Sequence, residues 1–315
     1  MSKNFRFLMK LLVLAAAISL IAIGSFGQSI VTGDAVGTVT DPSGAVVSGA
    51  TVTITSLDTA ASQTATTAAN GFYRFPLLKP GQYRLIVKQT GFKSTEQTIL
   101  VSVGQIATTN VRMELGTAAE VLEVTGEAPL IETENANLAT TYSTSQLQQL
   151  PTPGGDITSY AYSAPGVTLN SAAGYGNFSS YGLPSTSNLF TTNGNDNMDP
   201  YLNLNNSGAS NLSLGANELD QISIVQNGYT AQYGRQAGAQ VNAATKSGTN
   251  SFHGNALYWW NGSNLNANDW FSNHAQSPRP FANNNQWAAS FGGPIVKNKL
   301  FFLSTRKDCA LFCRV

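Results

Sequence analysis

Residues 30–115 carry short alternating runs separated by turn residues. Thr51-Val52-Thr53-Ile54-Thr55 sets Val52 and Ile54 on one face. Tyr83, Leu85 and Val87 alternate with Arg84, Ile86 and Lys88, and Val111, Met113 and Leu115 alternate with Arg112 and Glu114. Phe72-Tyr73-Arg74-Phe75 and Thr98 to Val103 are further runs. Asp41-Pro42-Ser43-Gly44, Asn70-Gly71, Lys79-Pro80-Gly81 and Thr90-Gly91 are turns. Strands of this kind with a turn every ~8–12 residues predict a β-sandwich of about seven strands. Asn70-Gly71 predicts a hairpin between residues 64–68 and 72–75. Phe72, Phe75 and Tyr83 are expected in the core, leaving Tyr73 on the opposite face.

Beyond residue 116 the pattern changes. Glu120-Val121-Leu122-Glu123-Val124-Thr125-Gly126 is one strand-like run, broken by Glu127-Ala128-Pro129. Gln146 to Leu150 predicts a helical turn. Leu219-Asp220-Gln221-Ile222-Ser223-Ile224-Val225 alternates cleanly. Ser251 to Trp260 predicts a strand of about ten residues with Phe252, Ala256, Tyr258 and Trp260 on one face. Gln286 to Gly293 predicts a second, with Trp287, Ala289 and Phe291 together. Pro294 to Asn298 reads as a short turn, and a third strand begins at Lys299. Long strands with aromatic ends, one long loop and one short turn are the pattern of an outer-membrane β-barrel.

The N-terminus adds an export signal. Lys3, Arg6 and Lys10 precede the apolar run Leu11 to Ile23, and Ser25-Phe26-Gly27 places small residues at a cleavage site before Gln28. That run is short of the ~20 residues a transmembrane helix needs, so residues 1–27 read as a signal peptide.

Charge narrows the function classes. The 315 residues hold 17 basic and 17 acidic side chains, and charged residues are only 11%. A typical cytosolic enzyme carries roughly 25%. No Lys or Arg lies between Arg112 and Arg235, an interval with 11 Asp and Glu. It cannot form a polybasic surface, so no nucleic-acid partner is expected. Of 29 Asn, 24 lie at position 170 or later, a second sign that the chain is modular. Two Cys at this length exclude a disulfide-stapled scaffold.

Two sets of motifs resemble known families. Gly37-x-Val39-x-Asp41-x-x-Gly44, Val47-x-Gly49-Ala50-x-Val52, Gly71-Phe72-Tyr73-x-Phe75, Pro80-Gly81-x-Tyr83-x-Leu85 and Gly91-Phe92 resemble a carboxypeptidase regulatory-like domain. That resemblance implies a prealbumin-like, carbohydrate-binding-like sandwich without catalysis, acting as a spacer or a sugar-binding module. The ordered set Tyr233-Gly234, Gly238, Val241-Asn242 and Thr245-Lys246-Ser247-Gly248, following the Ile222/Ile224 strand, resembles the end of the plug of a TonB-dependent outer-membrane receptor. Pro165-Gly166-Val167 resembles the start of that plug. Phe252-His253-Gly254, Phe291-Gly292-Gly293-Pro294-Ile295 and Leu300-Phe301-Phe302 resemble the first barrel hairpin of the Oar-like group.

The resemblance implies a mainly β chain. Residues 1–27 are the signal peptide, 28–116 the sandwich and 117–134 a linker. Residues 135–250 form the plug, 251–305 the first strands of an incomplete transmembrane β-barrel, and 306–315 an atypical tail. It implies a receptor that takes up a ligand, a carbohydrate or a metal chelate, across the outer membrane. Its partners are then outer-membrane lipid and a TonB-type energising protein in the periplasm. Val121, Leu122, Glu123, Val124 and Thr125 are the candidate TonB contact, through strand addition. Asn193, Asn195, Asp196, Asn197 and Asp199 are the candidate ligand-facing loop. Alternating oxygen side chains there also resemble a calcium loop, but Met198 and Leu204 stand where that loop needs Gly and Glu, so no metal is expected.

Barrels of this family close with about 22 strands, which at roughly 18 residues per strand takes roughly 400 residues, far more than follow residue 250. A truncated receptor is therefore expected, with the periplasm as its place if the truncation is genuine. A secreted or periplasmic carbohydrate-binding sandwich module is the alternative. The chain has only His253 and His274, no Gly-x-Ser-x-Gly elbow and no complete dinucleotide fingerprint. No catalytic residue and no cofactor are expected.

Overall fold

The computed structural model describes residues 31–116, 121–124, 137–150, 157–169, 177–205, 215, 217–227, 230, 232–279, 281 and 283–312. The expected signal peptide, most of the expected linker and Thr125 lie outside the described residues.

The first module is a two-layer β-sandwich. Its strands are β1 (Gly33–Thr40), β2 (Thr51–Ser56), β3 (Ser62–Thr66), β4 (Phe72–Leu78), β5 (Gly81–Lys88), β6 (Ser94–Val101), β7 (Ile106–Thr108) and β8 (Val111–Arg112). One sheet has the order β4-β1-β7, with β8 also paired to β1. The other runs β3-β2-β5-β6 and ends on β9 (Val121–Val124). Between the layers lie Val39, Val52, Ile54, Phe75, Leu85, Val87, Val101 and Met113.

Two expectations are corrected here. Asn70-Gly71 does make a tight turn, closed by Ala68 N–H donating to Phe72 O at 2.9 Å. It does not join paired strands, because β3 pairs with β2 and β4 pairs with β1. The turn is a corner that carries the chain from one sheet to the other. Phe72 is also not in the core. It is 38% exposed, whereas Tyr73 is 2% exposed. Side chains alternate along a strand, so Phe72 and Phe75 cannot share a face, and Tyr73 points inward with Phe75. Its hydroxyl is satisfied by donating to Thr109 O at 2.6 Å.

The middle module is built on the sheet β10-β15-β16-β13-β14. These strands are β10 (Leu138–Tyr142), β13 (Leu189–Thr192), β14 (Asn195–Asp196), β15 (Leu219–Asn227) and β16 (Gln240–Thr245). A small hairpin, β11 (Val167–Leu169) with β12 (Phe178–Ser180), stands beside it. Helix α1 (Thr144–Gln149) opens with a capping box, Ser143 N–H donating to Gln146 Oε1 at 2.9 Å. Helix α2 (Ile157–Ala161) is fully buried, and Tyr160 Oη donates to Leu147 O at 2.7 Å. Ile222 and Ile224 of β15 pack with Val241 and Ala243 of β16, Leu147, Tyr160, Phe178 and Phe190.

The third module is an antiparallel sheet of β17 (His253–Gly262), β18 (Asn283–Val296) and β19 (Leu300–Phe312). The β17–β18 connection carries a short helix, α3 (Trp270–His274), whose N-cap Asp269 accepts from Ser272 N–H at 2.9 Å. The expected face alternation is present. Phe252, Ala256, Tyr258, Trp260, Trp287 and Phe291 are exposed or half-exposed, while Gln286, Ala288 and Ser290 are buried. Strand β18 runs through Pro294 to Val296, so the turn is tighter than expected. Strand β19 pairs with β18 as far as Asn283↔Phe312, so residues 306–312 continue a strand and do not form a separate tail.

Candidate functional site

The segment expected to meet a partner is placed on the sandwich. Strand β9 pairs in parallel with β6, with register Ser94↔Val121, Thr95↔Leu122, Glu96↔Glu123 and Gln97↔Val124. It is the terminal strand of its sheet. Sequence reasoning anticipated an extended run but not its docking. Backbone pairing reads little side-chain identity, so no motif announces which edge a short strand will join.

The candidate ligand-facing loop is a hairpin. Asn193 and Gly194 have φ of 52° and 82° and link β13 to β14, with Thr191↔Asp196 and Thr192↔Asn195 opposite. Positive φ at both central positions is what a two-residue hairpin turn requires, and Asn and Gly tolerate it best. Asn193 Oδ1 accepts from Thr245 N–H at 3.0 Å, and its Nδ2 donates to Thr245 Oγ1 at 2.9 Å. The loop is thus pinned to the last strand of the middle sheet. Asp196 accepts from Met198 N–H at 3.0 Å and pairs with Arg235. Asp199 Oδ1 accepts from the N–H groups of Tyr201 and Leu202, each at 2.8 Å. Asn197 N–H donates to Phe190 O at 2.9 Å. Both carboxylates are engaged in shaping their own loop or by Arg235. Among the described residues no three His, Cys, Asp or Glu side chains gather as a metal site. Sequence reasoning missed Tyr201 and Leu202, which are 95% and 64% exposed on this loop. Two apolar residues directly after Asp199-Pro200 in a polar stretch were the available signal.

A third location joins all three modules. Val103 N–H, in the turn after β6, donates to Gln221 Oε1 of β15 at 3.0 Å. This explains why Gln221 and Ser223, on the polar face of β15, are buried. Gly104 has a φ of 69°, which favours glycine, and a Cβ there would come within 2.7 Å of Tyr233 Oη. Asn250 N–H donates to Asp58 O of the sandwich at 2.9 Å. The Asn250 side chain exchanges two 2.8 Å hydrogen bonds with Asn298 in the β18–β19 turn. Beside this joint lies a cleft of about 960 Å³ lined by Asp58, Lys79, Tyr83, Thr144, Asp220 and Lys246, among others. Burial pushes the Asp220 carboxyl up, opposed by Thr144 Oγ1 at 2.7 Å and by the Lys246 charge. Burial pushes the Lys246 ammonium down, opposed by Asp220 and Glu218.

Comparison with known proteins fits this architecture. A carboxypeptidase regulatory-like domain matches residues 35–114, and an outer membrane beta barrel domain matches residues 244–307. The TonB-dependent transporter Oar of Myxococcus xanthus is 30% identical over 312 residues. That alignment takes in 93% of this chain, which spans 28% of that protein's length. Among solved structures, the outer membrane transporter YddB of Escherichia coli is 19% identical, with a TM-score of 0.39 over 50% of this chain and 24% of its own. The siderophore receptor PirA of Acinetobacter baumannii is 20% identical, with a TM-score of 0.39 over 53% of this chain and 24% of its own. By sequence, the chain carries a carboxypeptidase regulatory-like domain and an outer-membrane β-barrel segment, and it resembles the TonB-dependent outer-membrane receptors of the Oar-like group.

Proposed function

We propose that this protein serves ligand uptake as a TonB-dependent outer-membrane receptor. The middle module is the plug, Val121–Thr125 is the contact for the energising protein, and the loop Asn193–Asp199 faces the ligand. One observation carries the reading. A compact middle sheet is followed directly by a hairpin whose exposed face carries Phe252, Ala256, Tyr258, Trp260, Trp287 and Phe291, while Gln286, Ala288 and Ser290 of β18 take the opposite face. Such alternation suits a strand with lipid on one side and a polar lumen on the other. A three-stranded sheet alone leaves backbone edges unpaired, which lipid does not tolerate, so transport requires further strands than those described. The exposed Tyr201 and Leu202 favour a ligand with an apolar face, such as a sugar ring or an aromatic chelator.

The test is partner binding. The purified periplasmic domain of a TonB-type protein is titrated against the detergent-solubilised chain and against Val121→Pro and Val124→Pro. Proline removes a backbone donor from an adding strand. Binding by the parent chain and loss of roughly tenfold or more in at least one variant are expected. Equal binding by all three, or none by the parent, defeats the assignment of the contact.

A further inference from the structure

Strand β6 has neighbours on both sides. It pairs antiparallel with β5 from Gly81↔Val101 to Val87↔Thr95, and parallel with β9 along four residues. Strand β9 has only one. Among the described residues, no strand pairs with its far side. It also lies outside the residues 35–114 that match the regulatory-like domain. The sandwich therefore holds, as its outermost strand among the described residues, a piece of chain beyond the stretch that matches the regulatory-like domain. Only four residues, 117–120, separate that strand from the last described residue of the sandwich. A tether that short keeps the local concentration of the strand at its docking edge high, on the order of millimolar.

We propose that the sandwich presents Val121–Val124 as a preformed edge strand, and that the energising partner adds a strand to its open outer side. This rests on the reading of Val121–Thr125 as the partner contact, and it assigns the sandwich a role in that contact. Strand addition by a free peptide must fix each residue's backbone at the moment of binding, and that ordering opposes association. Docking on β6 orders the four residues beforehand. The fitting partner is a protein with its own unpaired sheet edge, since backbone N–H and C=O groups are what the open side of β9 offers. The complex would be one continuous sheet running from β3 through β9 into the partner.

The alternative is exchange, in which β9 must leave β6 before the partner can take it. A reversible lock separates the two. Glu96 and Glu123 occupy paired register positions and are replaced together, Glu96→Cys with Glu123→Cys, in a chain where Cys309 and Cys313 are serine. The lost Arg84–Glu96 ion pair is half-exposed and contributes little. Binding of the TonB-type periplasmic domain is measured with the disulfide closed and after reduction. Presentation predicts that the closed form binds at least as tightly as the reduced one. Loss of roughly tenfold or more on closure, reversed by reduction, overturns it in favour of exchange. Absence of binding by both forms, and by the parent chain, overturns the contact reading and this proposal with it. Hydrogen exchange on the parent chain gives an independent readout. Presentation predicts that Ser94–Gln97 stay protected and Val121–Val124 gain protection when the partner is added. Opening of Ser94–Gln97 on partner binding overturns it.

Discussion

At the scale of single residues, the sandwich is decided by which aromatic faces inward. Tyr73 fills the core and its hydroxyl is spent on Thr109 O. Tyr73→Phe leaves that carbonyl without its donor, and a loss of about 1 kcal/mol is expected in denaturant unfolding. Phe72→Ala, on the outer face, is expected to cost less in the same measurement. Asp220 gives a pH signature. Burial raises its carboxyl above the ordinary 3.8, so over that interval the folded state keeps a proton that the unfolded state has released. Stability therefore falls as pH climbs from the ordinary value through the raised one, and is level above it. Asp220→Asn is expected to flatten that fall. Unfolding midpoints across a series of mildly acidic to neutral buffers, parent against variant, test the sign.

At the scale of elements, what was legible in the sequence follows from what is local. The Ile222/Ile224 strand and the aromatic face of β17 and β18 are written in alternation. Partner choice is not local. Nothing near Asn70 says that β4 will cross to β1, and nothing in Val121–Val124 says that β6 will receive it. The burial of Gln221 was equally hidden, because the group that covers it, the Val103 amide, lies 118 residues away. Replacing it tests that joint. Gln221→Ala strands a buried N–H, and a cost of about 1–3 kcal/mol is expected. Faster hydrogen exchange at Val103 would locate the loss at this contact, and unchanged exchange there would show that the turn does not depend on it.

For the whole molecule, the exposed face of the third sheet sets the environment. Tyr258 stands opposite Trp287, and Trp260 opposite Asn285. Tyr258 Oη and Trp260 Nε1 donate to Asn285 and Asn283 at 2.6 and 2.8 Å, so the polar ends of these rings point toward the loop end of the hairpin. Aromatics with an apolar body and a polar tip suit the membrane interface. In single-tryptophan variants reconstituted with brominated lipid, strong quenching is expected for Trp260 and Trp287, and weak quenching for Trp270 in the loop. Equal quenching of all three would count against a lipid-facing sheet.

At Gly248 the middle module meets the third sheet backbone to backbone. A Cβ there would strike the Phe302 carbonyl oxygen and come within 2.8 Å of the Phe302 nitrogen and 2.9 Å of Gly293 O. The segment leaving β16 thus lies flat against the backbones of β18 and β19. Any side chain at this position would have to force the two backbones apart, so the seam between the middle module and the third sheet tolerates only glycine there.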